Sequence, residues 1–480
     1  MSTGLRIVER EEGGRAQSSE HGGEMSAGSN SVSLPPPHIR FVEFAAKVFL
    51  PAGYPASVSP DYLRYQIFNA LQAFCSSLAG LLSSRALLEG FGVGKADASA
   101  THALLLTVLQ DFFSRVTTIC AAYVVGPSLS PEAKTFRLLA DVSNDAAIVL
   151  DTLSPLFISS ALLPLRLPGL RVAALCLSGA LRALCGIAAG GSKAALTVHF
   201  ATPTAGAGDI GDLNAKDSSK ETVLALLGML AGSLIVPYLT TPSATYSVLF
   251  GLVGLHLALN YLGIRGVVLR SLNRQRMSIA WDTYRETSNS KFLSPSEVSD
   301  LERIFERPGV LRELRTNSVA GRCTIGSSLN QVLRGGIIPF ALLDQMKEEN
   351  YVLWFDRGSL SSRLGGADEL RAGAVHLHIC LKEGNSAVDQ LKAWAHAVEV
   401  GRMLLIQQRA SFPRPAPAEL ILAAHRRVEP LFPDFLQGLR NVGWNTADAA
   451  LLPGSPRALI VSIEPTDLEP ETNFEDKKEK

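Results

Sequence analysis

From Thr222 to Ile264 this sequence runs for 43 residues without an Asp, Glu, Lys or Arg. A stretch that long and uncharged belongs either in the core of a large soluble domain or in lipid, because little else hides so much apolar surface from water. Two prolines divide it. Pro237 and Pro242 bracket a short connection inside the segment LIVPYLTTPSATY, with about 18 residues before it (Thr222 to Leu239) and about 22 after it (Ser243 to Ile264). Each arm is near the length needed to cross a hydrocarbon layer of roughly 30 Å. The reading is a pair of membrane-spanning helices joined by that turn, with a buried soluble hairpin as the alternative. The flank Arg265, Arg270, Arg274 and Arg276 favours a cytoplasmic side for everything downstream, and with two spans the loop at 201–221 shares that side.

Charged residues make up 19% of the chain but are unevenly spread. The expected fold is a mainly α N-terminal membrane-associated helical domain over 41–272, followed by a smaller α+β or α/β soluble domain over 273–467. Residues 1–40 and 468–480 read as disordered tails, the first without a signal peptide or transit pattern. In the first domain Ser59 is placed to cap a helix with Pro60 at its first position, Leu63, Ile67, Leu71, Phe74, Leu78 and Leu82 recur at helical spacing, and Gly90 ends it. Arg64, Asn69, Gln72 and Arg85 ride on the same helix. Further helices are expected at 101–125, 132–163, 168–189 and 192–200, separated by GPSLSP, LPLRLPG and Gly190-Gly191. In the second domain LSPSEVSDLERIF carries a capping box, Ser294 with Glu297. YVLWFD, VHLHICL and RALIVSIE read as strands, and SAVDQLKAWAHAVEVGRML and AELILAAHRRVEPLF as helices.

Basic and acidic residues number 45 each, so no net field attracts nucleic acid. The six cysteines lack a zinc spacing. Asp111 with Arg115, and Arg137 with Asp141, are four apart and fit ion pairs on one helix face. Asp141, Asn144 and Asp145 form a polar patch on an apolar helix, a candidate ion or substrate site if that helix lies at membrane depth and a solvated face if it does not. Gly190, Gly191, Ser192 and Lys193 would expose backbone N–H groups beside a cation at a helix start, an anion nest for a headgroup or phosphate ester. Their order departs from a nucleotide-binding P-loop. GFGVGK at 90–95 reads as a helix stop. His376 and His378 lack an identifiable third metal ligand. No nucleophile–base pairing emerges from spacing, so the expectation is a protein without catalytic activity, cofactor or metal.

Four blocks in order, FLPAGYPASVSPDYLRYQIFNALQAFCSSLAG, KTFRLLADVSNDAAIVLDTLSPLF, GIAAGGSKAALTVHFA and LNAKDSSKETVLALLG, resemble the root UV-B sensitive protein family over about 41–270. DQLKAWAHA and FPDFLQGLRNVGW look like that family's more variable C-terminal region. QDFFSRVTTIC departs from the resemblance, with Phe112, Phe113, Ser114, Thr117 and Thr118 where the family commonly has glycines and a Gly-Arg pair. The resemblance implies a membrane-associated protein whose plant relatives are linked to ultraviolet-B responses, vitamin B6 homeostasis and auxin transport. It carries no catalytic residues. The combined expectation is an integral membrane regulatory or scaffold protein, with the bilayer and family members, as hetero- or homo-oligomer, for partners. The alternatives are a multi-span transporter-like bundle with Asp111, Asp141 and Asp145 along a pathway, or a soluble protein binding a pyridoxal-type phosphate at Gly190–Lys193.

Overall fold

In the computed structural model the first long helix buries its polar face. The structure describes residues 5–10, 16–21, 44–91, 100–158, 169–202, 208–333, 338–356, 360–361, 369–370, 375–410 and 416–463. GFGVGK lies almost wholly outside them, as do the last residues from 464. The chain forms two compact units, Met1–Ala122 with Phe136–Val267, and Tyr123–Thr135 with Val268–Lys480.

Six long helices build the first unit: α1 (Tyr62–Gly90), α2 (Ala100–Val125), α3 (Ala133–Leu153), α4 (Leu170–Phe200), α5 (Ile210–Ile235) and α6 (Pro242–Arg265). All except α3 are long and apolar enough to cross a membrane. On α1 the positions at helical spacing that point inward are Tyr62, Gln66, Asn69 and Gln72, while Leu63, Ile67 and Leu71 are 43%, 52% and 47% exposed. The first half of the apolar stripe, Leu63 to Leu71, is therefore outer surface, the reverse of a water-soluble helix, whereas Leu82 at its far end is buried in the core. α1 starts later than expected. Ser59 Oγ donates to Asp61 Oδ1 at 2.5 Å instead of capping, and the helix begins at Tyr62.

The turn in LIVPYLTTPSATY is a short 3₁₀ segment, Val236–Tyr238, followed by Thr241, whose hydroxyl accepts from the Ala244 N–H to start α6 at Pro242. Arg85 of α1 pins it by donating to the carbonyls of Val236 and Leu239 at 3.1 and 3.0 Å. The two arms do not form a self-packed hairpin: both α5 and α6 pack mainly on α1. Close approach to α5 depends on Gly228 and Gly232, a small-xxx-small pair. A Cβ at Gly228 would sit 2.8 Å from Ser77 Cβ and 2.9 Å from the Phe74 carbonyl oxygen, and one at Gly232 2.8 Å from Leu81 Cδ2. Ser77 Oγ donates across the same contact to the Ala225 carbonyl at 2.8 Å.

Three local expectations are corrected. α4 runs without interruption through Gly190 and Gly191, because an apolar helix tolerates glycine where flanking residues still complete the ladder. The expected loop at 201–221 is helical from Ile210, its start capped by Asp209 accepting from the N–H groups of Gly211 and Asp212. Within the expected N-terminal tail, β1 (Leu5–Arg10) and β2 (Ala16–His21) pair antiparallel.

The second unit mixes helices and strands. Its chain order is β3 (Ser271–Asn273), α7 (Arg274–Glu286), α8 (Pro295–Leu301), β4 (Val310–Arg312), β5 (Val319–Ile325), α9 (Leu329–Leu333), α10 (Phe340–Gln345), β6 (Tyr351–Phe355), β7 (Leu360–Ser361), β8 (Glu369–Leu370), β9 (Val375–Leu381), α11 (Ala387–Ala410), α12 (Pro417–Val428), α13 (Phe432–Asn441) and β10 (Asn445–Ala450). The main sheet has the order β4-β5-β9-β6, with β5 and β9 parallel and the other neighbours antiparallel. β9 is central and buried on both faces, so its alternation of Val375, Leu377 and Ile379 with His376, His378 and Cys380 marks two packed faces. The capping box at Ser294 and Glu297 is formed. RALIVSIE makes only a bridge at Ile460, and NTADAA supplies the strand that pairs with β3.

Trp281, Trp394 and Phe435 are almost wholly buried in this core, with Trp394 Nε1 donating to Ser278 Oγ at 3.0 Å. His396, also buried, bonds the Tyr351 hydroxyl through Nδ1 at 3.1 Å and the Ile421 carbonyl through Nε2 at 2.9 Å. Burial pushes it down to about 3 from the ordinary 6.5.

Two outcomes follow. In detergent, Gly228→Val is expected to lower the melting temperature by an overpacking cost of roughly 1–3 kcal/mol, whereas Gly251→Ala, with open space around its Cβ position, leaves it nearly unchanged. Equal shifts would contradict the close contact. Between pH 6.5 and about 3 the unfolded chain takes up a proton on His396 that the folded chain refuses, so stability falls as pH falls through this window. Thermal scans of the full chain should show that slope flattened in His396→Gln, and parallel profiles would count against it.

Candidate functional site

The inward-facing polar residues of α1 meet charges from three other helices. Asn69 is the hub: its side-chain oxygen accepts from Gln72 Nε2 and from Arg137 Nη2, each at 2.9 Å, and its nitrogen donates to Glu221 Oε1 at 3.2 Å. The other Glu221 oxygen takes Lys193 Nζ of α4 at 2.8 Å. One turn away, Tyr62 donates its hydroxyl proton to Asp217 Oδ1 at 2.9 Å, while Lys220 Nζ donates to the Tyr62 hydroxyl at 2.7 Å and pairs with Asp217 at 2.8 Å. Gln66, 6% exposed, has a side-chain N–H group with no hydrogen-bond partner in the structure.

A second arm continues along α3. Arg137 Nε lies 4.0 Å from Asp141, and Asp145 one turn further bonds His256 Nδ1 of α6 at 2.7 Å. Asn144 donates to Ser76 Oγ at 3.1 Å. The network reaches the surface at Lys193 and Glu221, whose side chains are 26% and 34% exposed, and ends inside at Asp145 and His256, 3% and 2% exposed. It is a polar column enclosed by helices whose outer faces are apolar. Three cations and three carboxylates in close order can bind a small zwitterionic or anionic solute by exchanging internal ion pairs for external ones.

The structure brings Asp141, Asp145 and Lys193 into this network and bonds Asn144 to Ser76 of α1, so the patch on α3 is not a solvated face. It leaves Asp111 and Arg115 outside, bonded to each other at 2.7 Å on an exposed face of α2 and not along an internal pathway. The anion nest at Gly190, Gly191, Ser192 and Lys193 is also corrected. Mid-helix N–H groups are engaged in the helix ladder, and Ser192 Oγ donates to the Ala188 carbonyl at 2.6 Å. KDSSKE looks like a loop in sequence, although its acids and bases, Asp217, Lys220 and Glu221 among them, recur at helical spacing. His256 is inconspicuous in a segment defined by its lack of Asp, Glu, Lys and Arg.

The second unit holds two further clusters. Glu349, His425 and Glu429 have the geometry of a cation site, but Lys392 Nζ lies 2.6 Å from Glu349 and 3.0 Å from Glu429 and already supplies the positive charge. Against burial, His425 and Lys392 hold the Glu349 carboxyl down to about 2. Ser327 Oγ bonds His378 Nδ1 at 2.7 Å, with Asp356 3.4 Å from Nε2. The N–H groups of Gly326 and Ser327 both donate to the Ile379 carbonyl, however, and Ser327 is 1% exposed, so that hydroxyl has neither substrate access nor free neighbouring amides for an oxyanion. His376 bonds the Thr324 hydroxyl at 2.8 Å.

Residues 36–288, more than half of the chain, match the family described as the vitamin B6 photo-protection and homoeostasis domain, and residues 367–456 match the root UVB sensitive protein C-terminal region. The chain belongs to the root UV-B sensitive family. Root UVB sensitive 3 of Arabidopsis thaliana is 29% identical over 426 residues, 87% of each chain. RUS family member 1 of Dictyostelium discoideum is 35% identical over 268 residues, 55% of this chain and 48% of its own length, so the match spans about half of that relative. The chloroplastic root UVB sensitive 2 of Arabidopsis thaliana is 25% identical over 411 residues, 85% of this chain and 83% of its own. No solved structure matches the chain. The first family match takes in every residue of the polar column.

Replacing the hub tests the column. Asn69→Leu removes one buried hydrogen-bond partner each from Gln72, Arg137 and Glu221 and is expected to cost on the order of 2–4 kcal/mol, while Leu71→Ala, on the exposed face, costs well under half of that. Melting temperatures in detergent read both, and a larger loss at Leu71 would refute the inverted polarity.

Proposed function

We propose that this chain is an integral membrane protein acting in vitamin B6 homeostasis, and that its helical unit takes a small polar solute of the vitamin B6 type into the column around Asn69. The observation that carries this reading is the inversion of polarity on α1, with Gln66, Asn69 and Gln72 inside and Leu63, Ile67 and Leu71 outside. In water that arrangement exposes apolar surface and buries polar groups at a cost on both sides, whereas in lipid both assignments are favourable. The family description supplies the solute class.

The chemistry fits. A B6 vitamer presents a pyridine nitrogen and an ionisable ring hydroxyl, and its phosphorylated forms add a dianion. Asp217 and Glu221 suit the protonated nitrogen, Lys193, Lys220 and Arg137 suit the oxygens, and the free N–H of Gln66 is a donor in search of an acceptor. No residue in the column is arranged as an activated nucleophile, which favours binding or passage over catalysis.

A regulatory or scaffold role is the second reading, favoured by the outward face of α2. Arg274 and Arg276 weigh little in setting orientation, because they pair with Glu132 and Glu302. The cytoplasmic placement of the second unit accordingly rests on Arg265 and Arg270.

Purified protein in lipid nanodiscs is expected to bind pyridoxal, pyridoxine or pyridoxal phosphate by calorimetry, with at least one of these weakened tenfold or more, about 1.4 kcal/mol, in Glu221→Gln and in Lys193→Ala. Absence of saturable binding of all three vitamers to folded protein would overturn the solute assignment.

A further inference from the structure

Helix α2 carries an outer stripe that matches neither water nor lipid. Leu104, Val108, Asp111, Arg115, Thr118 and Ala122 follow one another at alternating steps of 4 and 3, so that every second one lies seven residues further on, and all are exposed. Leu104 and Val108 are 62% and 56% exposed, and the Arg115 and Asp111 side chains 77% and 56%. The opposite side of the helix is already used: Leu106 and Ala121 are buried, and Gln110 sits so close to Gly179 of α4 that a Cβ there would lie 2.7 Å from its Cγ. In water the stripe leaves large apolar side chains wet. In lipid it leaves an ion pair in hydrocarbon, which is costly even when paired. A protein surface satisfies both halves.

We infer that this stripe is the contact face for a second copy of the same chain. A 3.5-residue repeat is the spacing at which two helices stay in register along their length. The charge pattern is self-complementary: about a two-fold axis each copy presents an acid and a base one turn apart, so Arg115 of each reaches Asp111 of the other and four charges close into a neutral cluster. Small or short side chains at Thr118 and Ala122 let the helices approach at one end, and Leu104 and Val108 fill the other. A foreign partner would have to carry the same acid–base step on its own helix. The inference rests on α2 being a membrane segment only for the cost of the ion pair, since the apolar residues make the same demand in water.

Full-length protein in cell membranes, with Cys120 changed to Ser, tests it. Under mild oxidation Val108→Cys is expected to form an adduct of twice the 51.3 kDa chain mass, whereas Val116→Cys, displaced about 120° from the centre of the stripe, forms little. Asp111→Arg alone and Arg115→Asp alone should each abolish the Val108→Cys adduct, and co-expression of the two differently tagged copies should restore it as a mixed pair. No adduct from a protein that stays with the membrane pellet would overturn the inference. So would an adduct to a different protein, or a self-adduct indifferent to the charge reversals. A self-adduct in protein released by alkaline carbonate would instead sustain the pairing and reject the membrane reading on which the solute site depends.

Discussion

The helical unit is organised around one carboxamide. Asn69 accepts from Gln72 and Arg137 and donates to Glu221, which in turn holds Lys193, so a single side chain ties α1, α3, α5 and α4 together. Buried polar groups are costly unless bonded, and this set is bonded almost throughout. Its placement dictates the rest of that end of the helix: once Gln66, Asn69 and Gln72 are inside, Leu63, Ile67 and Leu71 must face out, and the exposed surface there becomes suited to hydrocarbon. The glycines at 228 and 232 follow from the same geometry. Where the outside is as apolar as the packing surface, helices hold together through close backbone approach and internal hydrogen bonds.

Much of the helical architecture was legible in the sequence, but its polarity was not. The recurrence of Leu63, Ile67, Leu71, Phe74, Leu78 and Leu82 states the period of α1. Period alone does not say whether the apolar stripe faces core or solvent, because that depends on the solvent. The complementary recurrence of Tyr62, Gln66, Asn69 and Gln72 marks the face that is buried. Gly190-Gly191 suggested a break and produced none, because glycine weakens a helix without ending it when both flanks are strong helix formers. In the second unit strand alternation located β6 and β9. RALIVSIE failed as a strand because its apolar residues only flank the sheet, touching it at Ile460.

The second unit also shows why charge counts mislead near a boundary. Arg276 Nε bonds Glu302 at 2.9 Å, Lys134 Nζ bonds the same carboxylate at 2.7 Å, and Arg274 bonds Glu132 at 3.0 Å, so residues that look like a positive flank are internal ties. Glu302 is deeply buried, yet those two cations hold its carboxyl below the usual carboxylate range. Breaking such a set by removing one partner leaves an uncompensated charge, which makes it structurally important without implying a binding role.

The claim on which the account turns is that lipid is the solvent of the helical unit. Alkaline carbonate extraction of the full-length protein from cell membranes, with pellet and supernatant immunoblotted, tests it most directly. Retention in the pellet is the expected result. Complete release into the supernatant as folded protein would contradict it and would require another covering for the leucines of α1.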